Sequence, residues 1–160
     1  MPTIPVFPEV SLVVDNDVLT HWRNGRQAIL DRISEYIARL KKPPALASTT
    51  VFEATFGIEK SLAQNQITEE IASDYKNRLN RLIESSIVLP FDRNAAAIAA
   101  YVFARLSQAD RNAHWRDLFI AATALSHKHG VATQNKSHFE LIAAHLPPEF
   151  AVLPLAVWKL

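Results

Sequence analysis

The sequence predicts a layered α/β domain with a central, mostly parallel sheet of about five strands. Short apolar segments alternate with longer segments of helical periodicity. The first apolar segment, residues 10–14, is uninterrupted and rich in β-branched residues, which is typical of a strand buried on both faces of a parallel sheet. With 160 residues, 49% of them hydrophobic, we expect a single globular domain over residues 1–160.

Apolar runs bounded by turn residues mark the strands, and apolar residues at helical spacing mark the first helix. Leu30, Ile33 and Leu40 belong to one helical stripe, which we expect to end before Pro43. The predicted strands are residues 10–14, 45–48, 87–90, 131–133 and 151–155.

Capping residues predict where the later helices begin and end. A second helix should run from about residue 50 to 63, a third should open near Thr68, and Asp92 should cap a fourth. A fifth should begin near Asp117 and end before Gly130, which would take the left-handed position after the helix. Ser137 with Glu140 would form a capping box for a sixth.

Composition excludes several classes of site and of location. The chain has no cysteine, so disulfides, thiolate zinc sites and thiol nucleophiles are excluded. Its three glycines cannot build a phosphate-binding loop or a dinucleotide fingerprint. The net charge of +1 means that a nucleic-acid partner would need a local basic surface. We find neither a secretory signal nor a membrane-spanning stretch, and a cytoplasmic protein is expected.

Carboxylates occur at several positions where strands end and helices begin. Asp15 and Asp17 follow the first strand, Glu53 opens the helix after the second, and Asp117 precedes the strand that ends near Asn135. Because the carboxyl ends of parallel strands share one edge of the sheet, these residues should meet there. Clustered carboxylates repel each other and raise each other's pKa unless a cation neutralises them. The sequence therefore predicts a Mg²⁺ or Mn²⁺ site.

Each of these residues also has a purely structural interpretation. Asp15 or Asp17 would simply cap a helix, and Glu53 would complete a capping box with Thr50. Asp117 would only complement a helix dipole. Asn135 would be a turn residue, and a lone histidine such as His138 is a weak signal for a ligand.

Basic residues crowd the segment just before Asp117. Most charged stretches of this kind are solvated helix faces. The position of this one beside the acidic residues nevertheless makes Arg111, His114 and Arg116 candidates for contacts with phosphate.

Taken in order, these motifs resemble the PIN-domain family, and more narrowly the VapC-type toxins of bacterial toxin–antitoxin pairs. The resemblance covers about residues 10–157. The segments at Asp117 and at Thr133 are its more specific parts. The residues that carry it are Val13-Val14-Asp15-Asn16-Asp17, Thr50-x-x-Glu53-x-x-x-Gly57, Asp117-Leu118-x-Ile120-Ala121-Ala122-x-Ala124 and Thr133-x-Asn135-x-x-His138-Phe139.

The resemblance implies a three-layer α/β/α domain that hydrolyses RNA phosphodiesters with Mg²⁺ or Mn²⁺. Asp15, Glu53 and Asp117 would be the acidic catalytic core, with Asp17 close to the metal. Asn135 and His138 fall where the family often carries a fourth acid; neither is acidic here, so one metal ion or two remains open. The family also implies a homodimer and a cognate antitoxin protein as partner.

Two other functions fit parts of the sequence. In a haloacid-dehalogenase-like phosphohydrolase, Asp15 would be the covalent nucleophile, Asp17 an acid–base group, and Ser48 or Thr49 the second motif. The missing fourth acid also fits a non-catalytic interaction module with a degenerate PIN site. Trapping a phosphoaspartate at Asp15 would support the first; the absence of RNA cleavage and metal binding would support the second.

Overall fold

The computed structural model describes residues 10–160 as five strands connected by seven helices. Among these residues, no helix is both long and apolar enough to cross a bilayer. The strands are β1 (Leu12–Val14), β2 (Ala45–Ala47), β3 (Val88–Leu89), β4 (Gly130–Thr133) and β5 (Leu155–Val157). The helices are α1 (Asn16–Arg23), α2 (Gln27–Leu40), α3 (Ser48–Ala63), α4 (Glu69–Ser85), α5 (Arg93–Arg105), α6 (Gln108–Ser126) and α7 (Lys136–Ala143).

All strand pairs in the sheet are parallel, in the order β3-β2-β1-β4-β5. The central strand β1 pairs with β2 and β4, so that Val13 lies between Ala45 and Val131. Because every strand runs in the same direction, the residues that follow β1, β2 and β4 all emerge at one edge. The predicted parallel sheet is confirmed.

Alternate side chains of β1 point into two separate cores, as strand geometry requires. Val13 packs with apolar residues of α5, α6 and α7 on one face. Leu12 and Val14 pack with residues of α1 to α4 on the other. The molecule therefore has the predicted three-layer α/β/α architecture. The assignment of residues 1–160 to one domain remains a prediction, and residues 1–9 lie outside the described part.

Two predicted helix caps are present. Thr68 Oγ1 accepts a hydrogen bond from the Ile71 amide (3.2 Å), and Asp92 Oδ1 accepts one from the Ala95 amide (2.8 Å). The stripe around Leu30 belongs to α2, which ends at Leu40 as predicted. The separate helix α1 was not predicted, because its eight residues are too few to show an apolar repeat.

Three predicted boundaries are wrong. Helix α6 begins at Gln108, nine residues before Asp117, where Ser107 caps it by accepting a hydrogen bond from the Asp110 amide (3.1 Å). The sequence did not predict this start, because none of residues 108–116 is buried and this half of the helix carries no apolar stripe. Gly130 begins β4 instead of capping α6; the left-handed residue there is Lys128 (φ 59°). Ser137 lies inside α7, whose first flanking residue is Asn135, so its capping box does not form.

The last strand is displaced from its predicted position. It comprises Leu155–Val157, because the Pro154 carbonyl accepts from the Val131 amide and pairing with β4 then continues to Trp158, whose amide donates to the Thr133 carbonyl. Proline itself has no amide to donate to a strand neighbour. The other predicted strands overlap the observed ones, with ends that differ by one or two residues.

Gly130 should be intolerant of any side chain. A Cβ at this position would lie 2.6 Å from the Pro154 carbonyl oxygen and 2.9 Å from the Pro154 Cβ. We expect Gly130→Ala to lower the free energy of unfolding by about 1–3 kcal/mol through overpacking. The measurement is urea denaturation followed by circular dichroism.

Gly57→Ala is the matched control for this prediction. Gly57 lies within α3, and a Cβ there would meet nothing within 4 Å. Alanine should stabilise the helix by about 0.5–1 kcal/mol. Equal effects of the two substitutions would show that β4 and β5 do not pack as described.

Candidate functional site

Asp15 is a buried carboxylate that links two strands and a helix at the carboxyl edge of the sheet. Its Oδ1 accepts a hydrogen bond from the Val18 amide (2.9 Å), so Asp15 does cap α1. Its Oδ2 accepts a second one from the Thr133 hydroxyl (2.5 Å), at the end of β4. With only 2% of its surface exposed, Asp15 is held rigidly. The prediction that Asp15 caps a helix is thus correct, but Asp15 also bonds to Thr133 at the end of β4.

Asp17 is also held in place, by a residue that follows the end of β4. The Asn135 side-chain amide donates to Asp17 Oδ2 (2.7 Å), and the Asn135 backbone amide donates to the Thr133 hydroxyl (2.8 Å). Asn135 is therefore more than a turn residue. Thr133 and Asn135, two residues apart, each position one of the aspartates that follow β1.

Glu53 lies in the second turn of α3, where it cannot serve as a capping residue. The helix begins at Ser48, so Thr50 is already inside it, and the predicted capping box is wrong. The Glu53 side chain is 16% exposed, and its Oε2 lies 3.7 Å from Arg116 Nε. The capping interpretation of Glu53 is therefore excluded, and the charges of Asp117, Asp17 and Asp15 contribute to raising the pKa of Glu53.

Asp117 occupies the middle of α6, too far from its first turn to complement the helix dipole. It stands where the exposed first half of the helix meets the buried second half. Asp117 Oδ2 lies 2.9 Å from His138 Nδ1 on α7. His138, which sequence analysis favoured as an ordinary helix residue over a ligand, is thus in direct contact with an acidic residue.

The electrostatics connect these four carboxylates into one group, which we call the acidic cluster (Asp15, Asp17, Glu53 and Asp117). Burial, with the charges of Asp17 and Asp117, raises the pKa of Asp15 to about 6 despite its two hydrogen bonds. Burial also raises the pKa of Glu53, where Arg116 opposes the shift and the aspartates add to it. The pKa of Asp117 is raised chiefly by burial, against the influence of His138.

The tightest arrangement of potential metal ligands in the described residues is different from the predicted one. Ligand atoms of His114, Asp117 and His138 all lie within 4.8 Å of one another. Asp15, Glu53 and Asp117 do not form such a compact group. The acidic cluster nevertheless fits a hard cation such as Mg²⁺, which retains several of its waters and is typically bound directly by only one or two carboxylates.

The three basic candidates have different surroundings. Arg111 donates to the carbonyls of Phe103 (2.8 Å) and Ala104 (3.3 Å), and so caps the end of α5. Arg116 is 57% exposed beside Glu53, with its guanidinium over the Trp115 ring at 4.6 Å. His114 belongs to the compact ligand group. The structure thus leaves Arg116 best placed for a ligand at the acidic cluster.

Sequence analysis gave no role to Thr133. Its position at the end of a buried strand, two residues before Asn135, was a usable signal, because a buried hydroxyl at that edge must find an acceptor. The grouping of His114 with Asp117 was also missed, although residues three apart on a helix share a face. This second signal was hidden because α6 was predicted to start at Asp117.

An apolar surface adjoins the acidic cluster. The rings of Phe52 and Phe56 are exposed and stacked, with centroids 6.0 Å apart and planes 9° from parallel. Beside them, Trp115 and Phe119 line one depression with Glu53 and a second one that is almost wholly apolar. The second depression is completed by Phe91, Ala96, Ala99, Ala100 and Phe103.

Comparison with known proteins supports the fold without close sequence similarity. Neither a family model nor a curated protein sequence matches the chain. Among solved structures, DNA-bound VapBC from Salmonella typhimurium matches with a TM-score of 0.70 at 22% identity, covering 94% of this chain and 99% of that one. VapBC-1 from nontypeable Haemophilus influenzae matches with a TM-score of 0.67 at 20% identity, covering 92% and 97%.

A third match extends the same group. VapBC2 from Rickettsia felis, bound to a promoter DNA fragment, has a TM-score of 0.66 at 13% identity, covering 92% of this chain and 98% of that one. The resemblance drawn from the sequence motifs is therefore confirmed at the level of the fold: over nearly its whole length the chain has the fold of chains in these VapBC structures.

Burial of Asp15 should make the metal-free protein more stable at acidic than at neutral pH. Its pKa of about 6 in the folded state lies above the usual aspartate pKa of 3.8, so the folded state binds the proton more tightly. Stability from this group is greatest at low pH and is lost as the pH rises through 6. Between pH 8 and pH 5 we expect a gain of about 1 kcal/mol.

The measurement is urea denaturation with a chelator at several pH values, for the wild type and for Asp15→Asn. The variant lacks the titrating group and should show less of this gain. A wild-type protein that loses stability relative to Asp15→Asn on acidification would contradict the description of this carboxylate.

Proposed function

We propose that this chain, with its VapC-type PIN fold, is a metal-dependent endoribonuclease and the toxin of a type II toxin–antitoxin pair. The observation that carries the proposal is a set of four carboxylates near the carboxyl edge of a parallel sheet, close enough for the charges of Asp15, Asp17 and Asp117 to help raise the pKa of Glu53. Three of them have raised pKa values, because burial and mutual repulsion leave their charges uncompensated. A divalent cation is the simplest group to compensate them.

Asp15, Glu53 and Asp117 would hold Mg²⁺ or Mn²⁺, in part through water, and Asp17 would lie beside it. The bound ion would supply an activated water and would neutralise charge on the phosphate of the cleaved bond. The protein's own contribution is positioning. Thr133 fixes Asp15, and Asn135 fixes Asp17. Asp17 would serve as the general base for the attacking water.

Arg116 would contact an RNA phosphate. Its exposed guanidinium stands 3.7 Å from Glu53 and partly offsets the negative potential that would otherwise repel a polyanion. His114 is a second candidate for this contact. Arg111 has two of its nitrogens engaged at the end of α5 and is a weaker one.

The partner would be a cognate antitoxin, as the VapBC complexes among the structural neighbours suggest. The apolar surface around Phe52, Phe56 and Trp115 fits an amphipathic segment, whose basic residue would reach Glu53. A homodimer is expected from the same resemblance. RNA in the cytoplasm would be the substrate.

The haloacid-dehalogenase alternative is less well supported. Ser48, which would serve in its second motif, accepts a hydrogen bond from the Phe91 amide (3.1 Å) and joins α3 to the segment after β3. A non-catalytic module is favoured by one observation, namely that the three predicted catalytic carboxylates are not close enough for compact chelation. Activity measurements decide between that module and an enzyme.

Asp117→Asn should reduce RNA cleavage at least about 100-fold, because it removes a charge on which metal binding depends. Wild-type protein with Mg²⁺ or Mn²⁺ should cleave labelled cellular RNA, and a chelator should abolish the cleavage. Asp31→Asn, on the exposed face of α2, is the matched control and should retain full activity.

Circular dichroism of Asp117→Asn must show a folded protein. Full activity of that folded variant would disprove the site assignment, and cleavage that survives the chelator would disprove the metal mechanism. No cleavage by the wild type, together with no Mn²⁺ binding, would favour the non-catalytic module.

Substitution of both Phe52 and Phe56 by serine should separate cleavage from neutralisation. Both rings are exposed, so we expect a folded protein that still arrests growth when expressed alone. Co-expression of the neighbouring gene should relieve arrest by the wild type but not by the double variant. Ile87→Ser, an exposed apolar residue next to β3, is the control. Equal relief of wild type and double variant would place the antitoxin elsewhere.

A further inference from the structure

The structure assigns a second role to the residues around Asp117: we propose that His114, Asp117 and His138 form a binding site for a transition-metal ion of the Zn²⁺ class. This is the compact ligand group described above, with ligand atoms within 4.8 Å of one another. It shares Asp117 with the acidic cluster but offers imidazole nitrogens, which the acidic cluster lacks.

The backbone holds these three residues in place before any ion binds. His114 and Asp117 are three residues apart on α6 and therefore share a face of that helix. His138 is the third residue of α7, which packs against α6. Helices are more precise supports for a metal site than loops, so little ordering is required on binding.

The side chains are already close to chelating geometry. His138 Nδ1 lies 2.9 Å from Asp117 Oδ2. The rings of His114 and His138 have centroids 4.6 Å apart and are tilted by 58°, so they do not stack in parallel. Ligands around a tetrahedral Zn²⁺ ion lie about 3.4 Å apart for metal–nitrogen distances of 2.0–2.1 Å. Small side-chain rotations would suffice to reach that geometry.

His114 also has a polar atom that the fold does not satisfy. Its Nδ1 is buried and has no hydrogen-bond partner within the protein. Burial of an unpaired polar atom is unfavourable, so such an atom needs a ligand or a solvent molecule. Coordination of an ion by His114, Asp117 and His138 would account for the compact arrangement of their ligand atoms and for the unpaired Nδ1 of His114.

The donor set selects the kind of ion. Two imidazoles and one carboxylate suit Zn²⁺, Co²⁺ or Ni²⁺, whereas Mg²⁺ prefers oxygen ligands alone. Three protein ligands leave one position of a tetrahedral ion open for water or another ligand. The alternative is that His138 only orients Asp117 through a hydrogen bond, and the experiment must separate these two roles.

The test is binding of Zn²⁺ and Co²⁺ to the purified full chain, freed of any histidine tag. Zn²⁺ affinity is measured by competition with a chromophoric chelator, and Co²⁺ coordination by its visible absorption. We expect one ion per chain, at least tenfold weaker Zn²⁺ binding by His114→Asn and by His138→Asn, and unchanged binding by His145→Asn. His145 is the control because its ring contacts only the Leu141 carbonyl among the bonds described.

His138→Cys distinguishes coordination from positioning. A thiolate is a good Zn²⁺ ligand, so this variant should restore the binding that His138→Asn loses and should shift the Co²⁺ absorption toward that of a sulfur ligand. Absence of stoichiometric binding by the wild type would overturn the inference. Unchanged affinity of folded His114→Asn or His138→Asn would overturn it too.

The proposed Zn²⁺ site shares Asp117 with the proposed nuclease centre, but Zn²⁺ binding is measured without RNA and without an activity assay. Zn²⁺ binding without RNA cleavage would uphold this site while the proposed function fails. RNA cleavage without Zn²⁺ binding would uphold the proposed function while this inference fails.

Discussion

The pairing of Asp15 with Thr133 is the interaction on which the rest of the site depends. It joins the end of the central strand β1 to the end of β4 through a hydrogen bond between a buried carboxylate and a buried hydroxyl. The same carboxylate starts α1, and the same hydroxyl accepts from the Asn135 amide. The position of Asp17 follows, since Asn135 holds it. Asp15 and Thr133 therefore connect the ends of β1 and β4 with the start of α1, and through Asn135 they connect two members of the acidic cluster.

This arrangement costs stability in the absence of an ion. Burial and like charges raise the pKa of Asp15, Glu53 and Asp117, so ionising them in the folded protein is less favourable than in water. A fold that retains such a cluster is strained electrostatically at neutral pH, and a divalent cation would relieve that strain. Local hydrogen bonds from Thr133, Asn135 and the Val18 amide hold the carboxylates in place meanwhile.

The sequence was sufficient to predict the sheet, because β1 and β4 are continuous apolar runs and polar residues follow directly where they end. The sequence was also sufficient to predict that Thr68 and Asp92 cap helices. Each cap bonds to a backbone amide only three residues further along the chain, so it depends on local sequence alone. The sequence failed for α6, where the exposed half carries no apolar stripe. For the same reason Asp117 was assigned to a helix start and the proximity of His114 was not recognised.

Distances between side chains could not be predicted from the motifs. The family resemblance placed Asp15, Glu53 and Asp117 in one site, and the structure brings them within electrostatic range. Which ligand atoms lie closest together depends on where α6 and α7 cross. Their packing brings His114 and His138 close to Asp117. The result is an acidic cluster with two imidazoles, those of His114 and His138, beside Asp117.

Whether the acidic cluster holds a divalent cation can be tested by locating Mn²⁺ by anomalous diffraction from crystals of the full chain. We expect a peak among the carboxylates of Asp15, Glu53 and Asp117 that disappears in Asp15→Asn crystals. A cluster without a peak at millimolar Mn²⁺, in crystals that diffract well enough to show one, would contradict it.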